Sequence, residues 1–264
     1  MPRRGARALA GLYWRLHCLS TDWGDRARIR REALAGIPPA WLRYSVAGST
    51  DIDRYLRVGQ TCSQDLMSAL RGVGCHLENA GDVLDFGCGC GRTLRFLEKY
   101  SPPTRFFGSD VHLAAIAWCR RNLSFARFTR NQALPPLPYP DARFDLVYAI
   151  SVLTHLSEAF QMQWLDELCR VTRPGGLLLL TVHGATALAT LPPNLAEELD
   201  VARTGFAFLN NDAWKAVFPE WYQSSFQTRE HVMGTFGRGL EHLGYIEAGM
   251  GAKQDVVLLR RPSV

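Results

Sequence analysis

From residue 82 onward short apolar runs at 82–86, 105–109, 144–150 and 176–182 alternate with segments of helical spacing at 91–99, 112–123 and 158–171. This alternation predicts parallel strands joined by helical crossovers, because each strand must be buried on both faces and each helix on one. Phe125–Thr129 supplies a weaker strand between the second and third runs. Upstream, 52–71 reads as a helix whose apolar face carries Ile52, Tyr55, Leu56, Val58, Leu66, Met67 and Leu70, after a break at Gly36, Pro38 and Pro39. Residues 5–19 set Leu9, Leu12, Trp14, Leu16 and Leu19 among arginines, the pattern of an amphipathic helix. Packing of that helix on the main body is the expectation and contact with a membrane surface the alternative.

After Gly184 come about forty-five residues of weak periodicity, too long for an idle loop in a compact domain. Their aromatics (Phe206, Phe208, Trp214, Phe218, Trp221, Tyr222, Phe226) point to an ordered lid. A helix near 229–243 follows, then a hairpin of Tyr245–Ala248 and Asp255–Arg260 around Gly249–Gly251. The expected architecture is therefore α/β: a Rossmann-like, doubly wound, mostly parallel sheet with a C-terminal antiparallel hairpin, N-terminal helices and a lid insertion. Residues 1–75 form a helical cap on this reading, and 76–264 the main domain with its insertion at about 185–228.

The length of 264 residues suits one such domain with additions, and 47% apolar against 21% charged residues predicts order throughout. The formal charge of +5 changes little, because the basic excess is local: Arg3, Arg4, Arg7, Arg15, Arg26, Arg28, Arg30 and Arg31 crowd the start of the chain. No nucleic-acid recognition motif accompanies them, so nucleic acid is not an expected partner. No apolar run suits a signal peptide or a bilayer span, so no membrane partner and a cytoplasmic location are expected. Seven cysteines contain no C-x-x-C pair and lie beside no histidine cluster; they read as reduced thiols, with neither a disulfide framework nor a metal site.

The chemistry concentrates in Asp82-Val-Leu-Asp-Phe-Gly-Cys-Gly-Cys-Gly-Arg92. Strand residues are followed by Gly87, Gly89 and Gly91 at alternate positions, and a helix is expected to restart at Arg92. Glycine permits a left-handed turn and lets a ligand lie against the backbone at the strand's carboxyl end. The spacing G-x-G-x-G, with Asp85 two residues ahead of the first glycine, departs from the dinucleotide fingerprint. A carboxylate there would repel a pyrophosphate and welcome an ammonium. A second strand ends in Asp110, about twenty residues beyond the glycines, where an acid can hold two ribose hydroxyls.

With these residues in order, the chain resembles class I S-adenosylmethionine-dependent methyltransferases, especially a branch encoded with glycan or natural-product pathways. The matching stretches are DFGCGCGR (85–92), GSDVHLAAIAWCRRNL (108–123), PPLPYPDARFDLVYAISVLTHL (135–156), WLDELCRVTRPGGLLLLTVHG (164–184) and QDVVLLRRP (254–262). The resemblance implies S-adenosylmethionine as cofactor. Gly87, Cys88 and Gly89 would line its methionine moiety, Asp110 hold the ribose, Val111 pack on the adenine, and Ser151 sit beside the methionine moiety. Asn131 stands where a side chain near the adenine amine is common; satisfying its own turn is the alternative.

For catalysis the candidates are His155 and His183, each placed after a strand end, with His231 ranked below them on an expected helix. A histidine near neutral pKa could take the acceptor's proton. Trp221 and Tyr222 in the lid are candidates to contact the acceptor. No Asn/Asp-Pro-Pro-Tyr motif follows Asp145, which disfavours methylation of exocyclic base amines. The leading expectation is methyl transfer to oxygen or nitrogen of a small metabolite, a sugar or a secondary-metabolite intermediate. A non-methylating cyclisation or rearrangement in the same site, and a silent partner-binding subunit, stay open as alternatives. A homodimer is compatible with the sequence.

Overall fold

The structure is a computed structural model describing residues 4–210, 222–237 and 239–263, with side chains of the first helix described from Leu12 onward. Strands β1 (Asp82–Phe86), β2 (Arg105–Asp110), β3 (Ala126–Arg130), β4 (Phe144–Ala149) and β5 (Thr172–Val182) pair in parallel. Antiparallel strands β9 (Gln254–Arg260) and β8 (Glu241–Met250) extend the sheet beyond β5, giving the order β3-β2-β1-β4-β5-β9-β8. All five residues of β1 are buried, as befits a central strand covered on both faces.

The pleat divides the core. Val83, Phe106, Tyr148 and Leu179 face one way, onto Leu66, Leu70, Leu94 and Ile116. Leu84, Phe107, Val147 and Leu178 face the other, onto Trp164, Leu165 and Leu168 of α5 (Glu158–Val171). The strand order reverses between β1 and β4, and a crevice opens at such a reversal because the flanking connections leave to opposite sides.

Two expected helices are shorter in the structure. Residues 91–99 do not form an α-helix; a turn leads into a 3-10 segment over Leu94–Tyr100, since Pro102 and Pro103 stop the chain just before β2. The helix expected at 229–243 is α9 (Arg229–Thr235), because Gly237 and Gly239 break it, and the chain from Glu241 is already β8. The hairpin β8–β9 is thus longer than expected. The segment after β5 carries three short helices, α6 (Ala185–Leu188), α7 (Pro193–Leu199) and α8 (Val201–Thr204), then β6 (Phe206–Leu209) paired with β7 (Ser224–Gln227).

At the N-terminus, α1 (Arg4–Arg31) is continuous well beyond residue 19 and is followed by α2 (Ala40–Ala47) and α3 (Ile52–Gly72). The Asp51 carboxylate caps α3 by accepting the Arg54 N–H at 2.7 Å. Arg43, 1% exposed, ties α2 to α1 and to the connections on either side of α2. Its guanidinium donates to the carbonyls of Thr50 (2.7 Å) and Pro38 (2.8 Å) and pairs with Asp25 of α1. On α1, Trp14 meets the ring of Tyr44 at 4.5 Å and Cys18 is buried, while Leu12, Leu16 and Leu19 face outward. The packing expected for this helix holds for one face alone.

Candidate functional site

A cavity of about 790 Å³ lies at the carboxyl ends of β1, β2 and β4. Asp85, Gly87, Cys88, Gly89, Asp110, Val111, Asn131 and Ser151, all selected from sequence, line it together. His155 and Tyr222 line it as well; His183 does not, and Trp221 lies outside the described residues.

The floor is the glycine turn. Gly87 (φ +77°) and Gly89 (φ +54°) adopt left-handed backbone. A Cβ on Gly87 would stand 2.2 Å from Val152 Cγ2, and one on Gly89 2.4 Å from Val46 Cγ1. The room that glycine leaves is therefore filled by neighbouring protein, not kept for a ligand: these residues let the turn nest between the end of β4 and α2. The N–H groups of Gly87 and Cys88 donate to the Ser109 carbonyl at 2.7 and 3.1 Å. The N–H groups of Gly89 (2.8 Å) and His112 (2.7 Å) donate to separate oxygens of Asp110, so one carboxylate joins the ends of β1 and β2.

Burial pushes the Asp85 carboxyl, 4% exposed, up to about 7. Tyr148, its partner across β4, lies near enough to lower it in part, although the Tyr148 hydroxyl makes no hydrogen bond of normal geometry among the described residues; the Asp110 carboxyl raises it further. Asp110 is also raised by burial, against its two N–H donors. Arg92, in the same lining, lowers Asp85 only weakly. A buried carboxyl beside a half-buried one, both so weakly neutralised, suits a ligand that brings an amino group and hydroxyls. The residues present thus fit S-adenosylmethionine.

Asn131 takes the alternative reading at least in part: its Oδ1 accepts from Ser109 Oγ and its Nδ2 donates to the Gln132 carbonyl, both at 2.7 Å. Ser151 has φ +59°, a conformation uncommon for serine. Its N–H donates to Thr181 Oγ1 at 2.8 Å and its Oγ accepts from Gln254 Nε2 at 2.7 Å, which ties the cavity rim to β5 and β9.

The expectation of a histidine poised near neutrality fails at His155. Burial lowers His155 to about 3, which keeps its ring neutral at physiological pH, and lowers His183 in the same sense. Each Nδ1–H is directed at a carbonyl: His155 at Gln223 (2.7 Å) and His183 at Ser225 (3.2 Å). His155 stacks on Tyr222 with centroids 4.1 Å apart, and His183 meets it edge-on at 6.0 Å. His231 accepts neither role; it sits on α9, 3.2 Å from Glu158.

Arg92, Tyr44, Ser45 and Trp164, none of them a candidate from the sequence, also line the cavity. Arg92 closes the quoted glycine motif and could have been found there. Tyr44 and Ser45 come from α2, whose approach no local pattern announces. Trp41 of α2 lies against the His112 ring at 5.4 Å, so this helix forms the cavity's cover.

Residues 83–176 match the family described as a methyltransferase domain. The chain is 32% identical over 145 residues to a phthiotriol/phenolphthiotriol dimycocerosates methyltransferase of Mycobacterium ulcerans, covering 54% of this chain and 52% of that protein. It is 37% identical over 101 residues to a fatty-acid O-methyltransferase of Mycolicibacterium smegmatis, covering 38% and 36%. A tRNA N(3)-methylcytidine methyltransferase of Drosophila melanogaster matches at 31% over 118 residues, covering 41% and 36%. The chain spans about half the length, or less, of these curated relatives. In fold it resembles an S-adenosylmethionine-dependent methyltransferase of Mesorhizobium loti, with a TM-score of 0.57, 16% identity and coverage of 75% of this chain and 98% of that one. With its reversing sheet, glycine turn and paired acids, the segment 83–176 is similar to a methyltransferase domain in sequence and shares its fold with S-adenosylmethionine-dependent methyltransferases of known structure.

Proposed function

We propose that this chain transfers a methyl group from S-adenosylmethionine to an oxygen or nitrogen of a small acceptor with an apolar body. The observation that carries this reading is the convergence of Asp85, the Gly87–Gly89 turn and Asp110 on one cavity at the reversal of the sheet. Relatives named for phthiotriol/phenolphthiotriol dimycocerosates and for fatty acids favour an apolar acceptor over a sugar. When bound, the cofactor supplies an electrophilic methyl on a cationic sulfur, whose transfer rests on alignment more than on a strong base.

The chain's own residues then divide the work. Asp85, Cys88 and Ser151 hold the amino-acid end, and Asp110, Val111 and Asn131 the nucleoside end. Tyr222, stacked on His155, forms the acceptor side, with Trp221 its neighbour in sequence. His155 stays uncharged beside a cationic ligand because it is buried, so it orients a hydroxyl or amine without adding repulsion. His183 positions β7 through Ser225, a support for the acceptor wall.

The test is incubation of the protein with S-adenosylmethionine and acceptors of several classes: long-chain acids, phenols, sugars, amines and bulk tRNA. The expected result is a small-molecule product one methyl heavier, with one S-adenosylhomocysteine released per turnover. An acceptor transformed without cofactor consumption would establish the rearranging alternative. Absence of cofactor binding by calorimetry would leave the silent subunit, and methylated tRNA would replace the small acceptor.

A further inference from the structure

Helix α1 has two apolar faces. One is spent on the protein: Trp14 against Tyr44, buried Cys18, and Asp25 on Arg43. The other carries Leu12 (55% exposed), Leu16 (57%), Leu19 (66%) and Trp23 (75%). Spaced four, three and four residues apart, these four form one continuous stripe along the helix, with Tyr13 (74%) at its flank. Single exposed leucines on a protein surface mean little; a stripe of three with a tryptophan is a continuous apolar surface of the kind that docks a partner.

Charge identifies the partner. Arg15, Arg26 and Arg30 border or continue the stripe, all exposed. The acids of α1 and its C-terminal turn are already engaged: Asp22 accepts the Ala40 N–H at 2.7 Å, Asp25 pairs with Arg43, and Glu32 pairs with Arg28 and Arg31 at 3.0 Å. Among the described residues Arg15, Arg26 and Arg30 have no ion-pair partner. A second copy docked on this face would set these arginines against their equivalents, with no carboxylate to answer them. An anionic surface answers them at once, and tryptophan, tyrosine and leucine between arginines suit the boundary between headgroups and acyl chains.

We propose that the outward face of α1 docks the protein on an anionic lipid surface, the helix lying in the plane of the interface. No described helix is long and apolar enough to cross a membrane, so this is attachment without a span. From the sequence no membrane partner is expected and the helix is expected to pack on the main body, with contact at a membrane surface the alternative. The proposal goes beyond methyl transfer and does not depend on it, although Trp14 touches Tyr44 of the cavity lining, which places the cavity's cover directly beneath the docked helix.

Flotation of the full chain with vesicles, in the absence of cofactor, tests this apart from catalysis. Vesicles of phosphatidylcholine mixed with phosphatidylglycerol should bind about tenfold more protein than phosphatidylcholine alone, with binding reduced by salt. The variants Leu16→Ser with Leu19→Ser, and Arg15→Gln with Arg26→Gln and Arg30→Gln, should each lose about tenfold in binding. All these positions are exposed, so circular dichroism and cofactor calorimetry should match the parent. Equal binding to both vesicle types, no binding, or unchanged binding by the variants would overturn the proposal. So would sedimentation showing a dimer that Leu16→Ser with Leu19→Ser converts to monomer while vesicle binding is absent, which would assign the face to a second copy.

Discussion

The two walls of the cavity are built in opposite ways. The inner wall consists of two short segments, Asp85–Arg92 and Asp110–His112, at the ends of adjacent strands, locked by the N–H groups of Gly87, Cys88 and Gly89. The cover is brought from distant parts of the chain: Tyr44 and Ser45 from α2, and Tyr222 from the segment before β7. The inner wall has rigid backbone geometry and buried charge, as suits an invariant ligand. The cover is made of side chains that can change without disturbing the sheet, as suits a variable acceptor.

The largest expected effect strikes the inner wall. Gly87→Val forces a branched side chain onto a left-handed backbone and into Val152, and should cost about 3 kcal/mol or more in denaturant unfolding and abolish cofactor binding. Gly74→Ala isolates the backbone part, because Gly74 also has positive φ (+72°) but nothing within 4 Å of its Cβ; it should cost only about 1 kcal/mol. Equal costs for the two would remove the contact with Val152 from the account. Next, Asp110→Ala gives up the acceptor of two N–H groups and should weaken cofactor binding by roughly 1–3 kcal/mol in calorimetry.

Asp85 gives a pH signature. Its folded pKa of about 7 lies above the ordinary carboxylate range, so the folded protein binds this proton more tightly than the unfolded chain. The stability this contributes is fully present below about pH 4 and is lost as pH rises through about 7. A cationic ligand group pulls the other way, so cofactor affinity should rise across that upper range with a proton released on binding. Calorimetry in buffers of different ionisation heat reads that proton, and Asp85→Asn should abolish it. A pH-independent wild-type affinity would separate Asp85 from the ligand's amino group.

The smallest effect on the cofactor should come from the cover: Tyr44→Ala or Tyr222→Ala should leave its affinity within about 1 kcal/mol while raising the acceptor's KM. A larger loss of cofactor affinity would merge the two walls into one site. Point variants are needed here, because deleting residues 1–35 would remove Asp25 and strand the buried Arg43, a loss on the order of 3–5 kcal/mol.

The sequence by itself determined the sheet and its inner wall. Apolar runs buried on both faces specify parallel strands, and helix α5 falls on Glu158–Val171 as its spacing predicts. Asp85, the glycines and Asp110 are legible because their place in the cavity depends on strand ends and on neighbours a few residues away. The shortened helix at Leu94–Tyr100, the early start of β8 and the burial that neutralises His155 were not legible, since each depends on where the chain must arrive or on what covers a side chain. Only the tertiary structure decided that Gly87 and Gly89 make room for Val152 and Val46, that α2 covers the cavity, and that one face of α1 is turned to solvent. A local pattern encodes backbone geometry and the periodicity of burial. Which surface comes to cover which is settled by contacts such as Arg43 with Asp25, between residues that no short-range pattern relates.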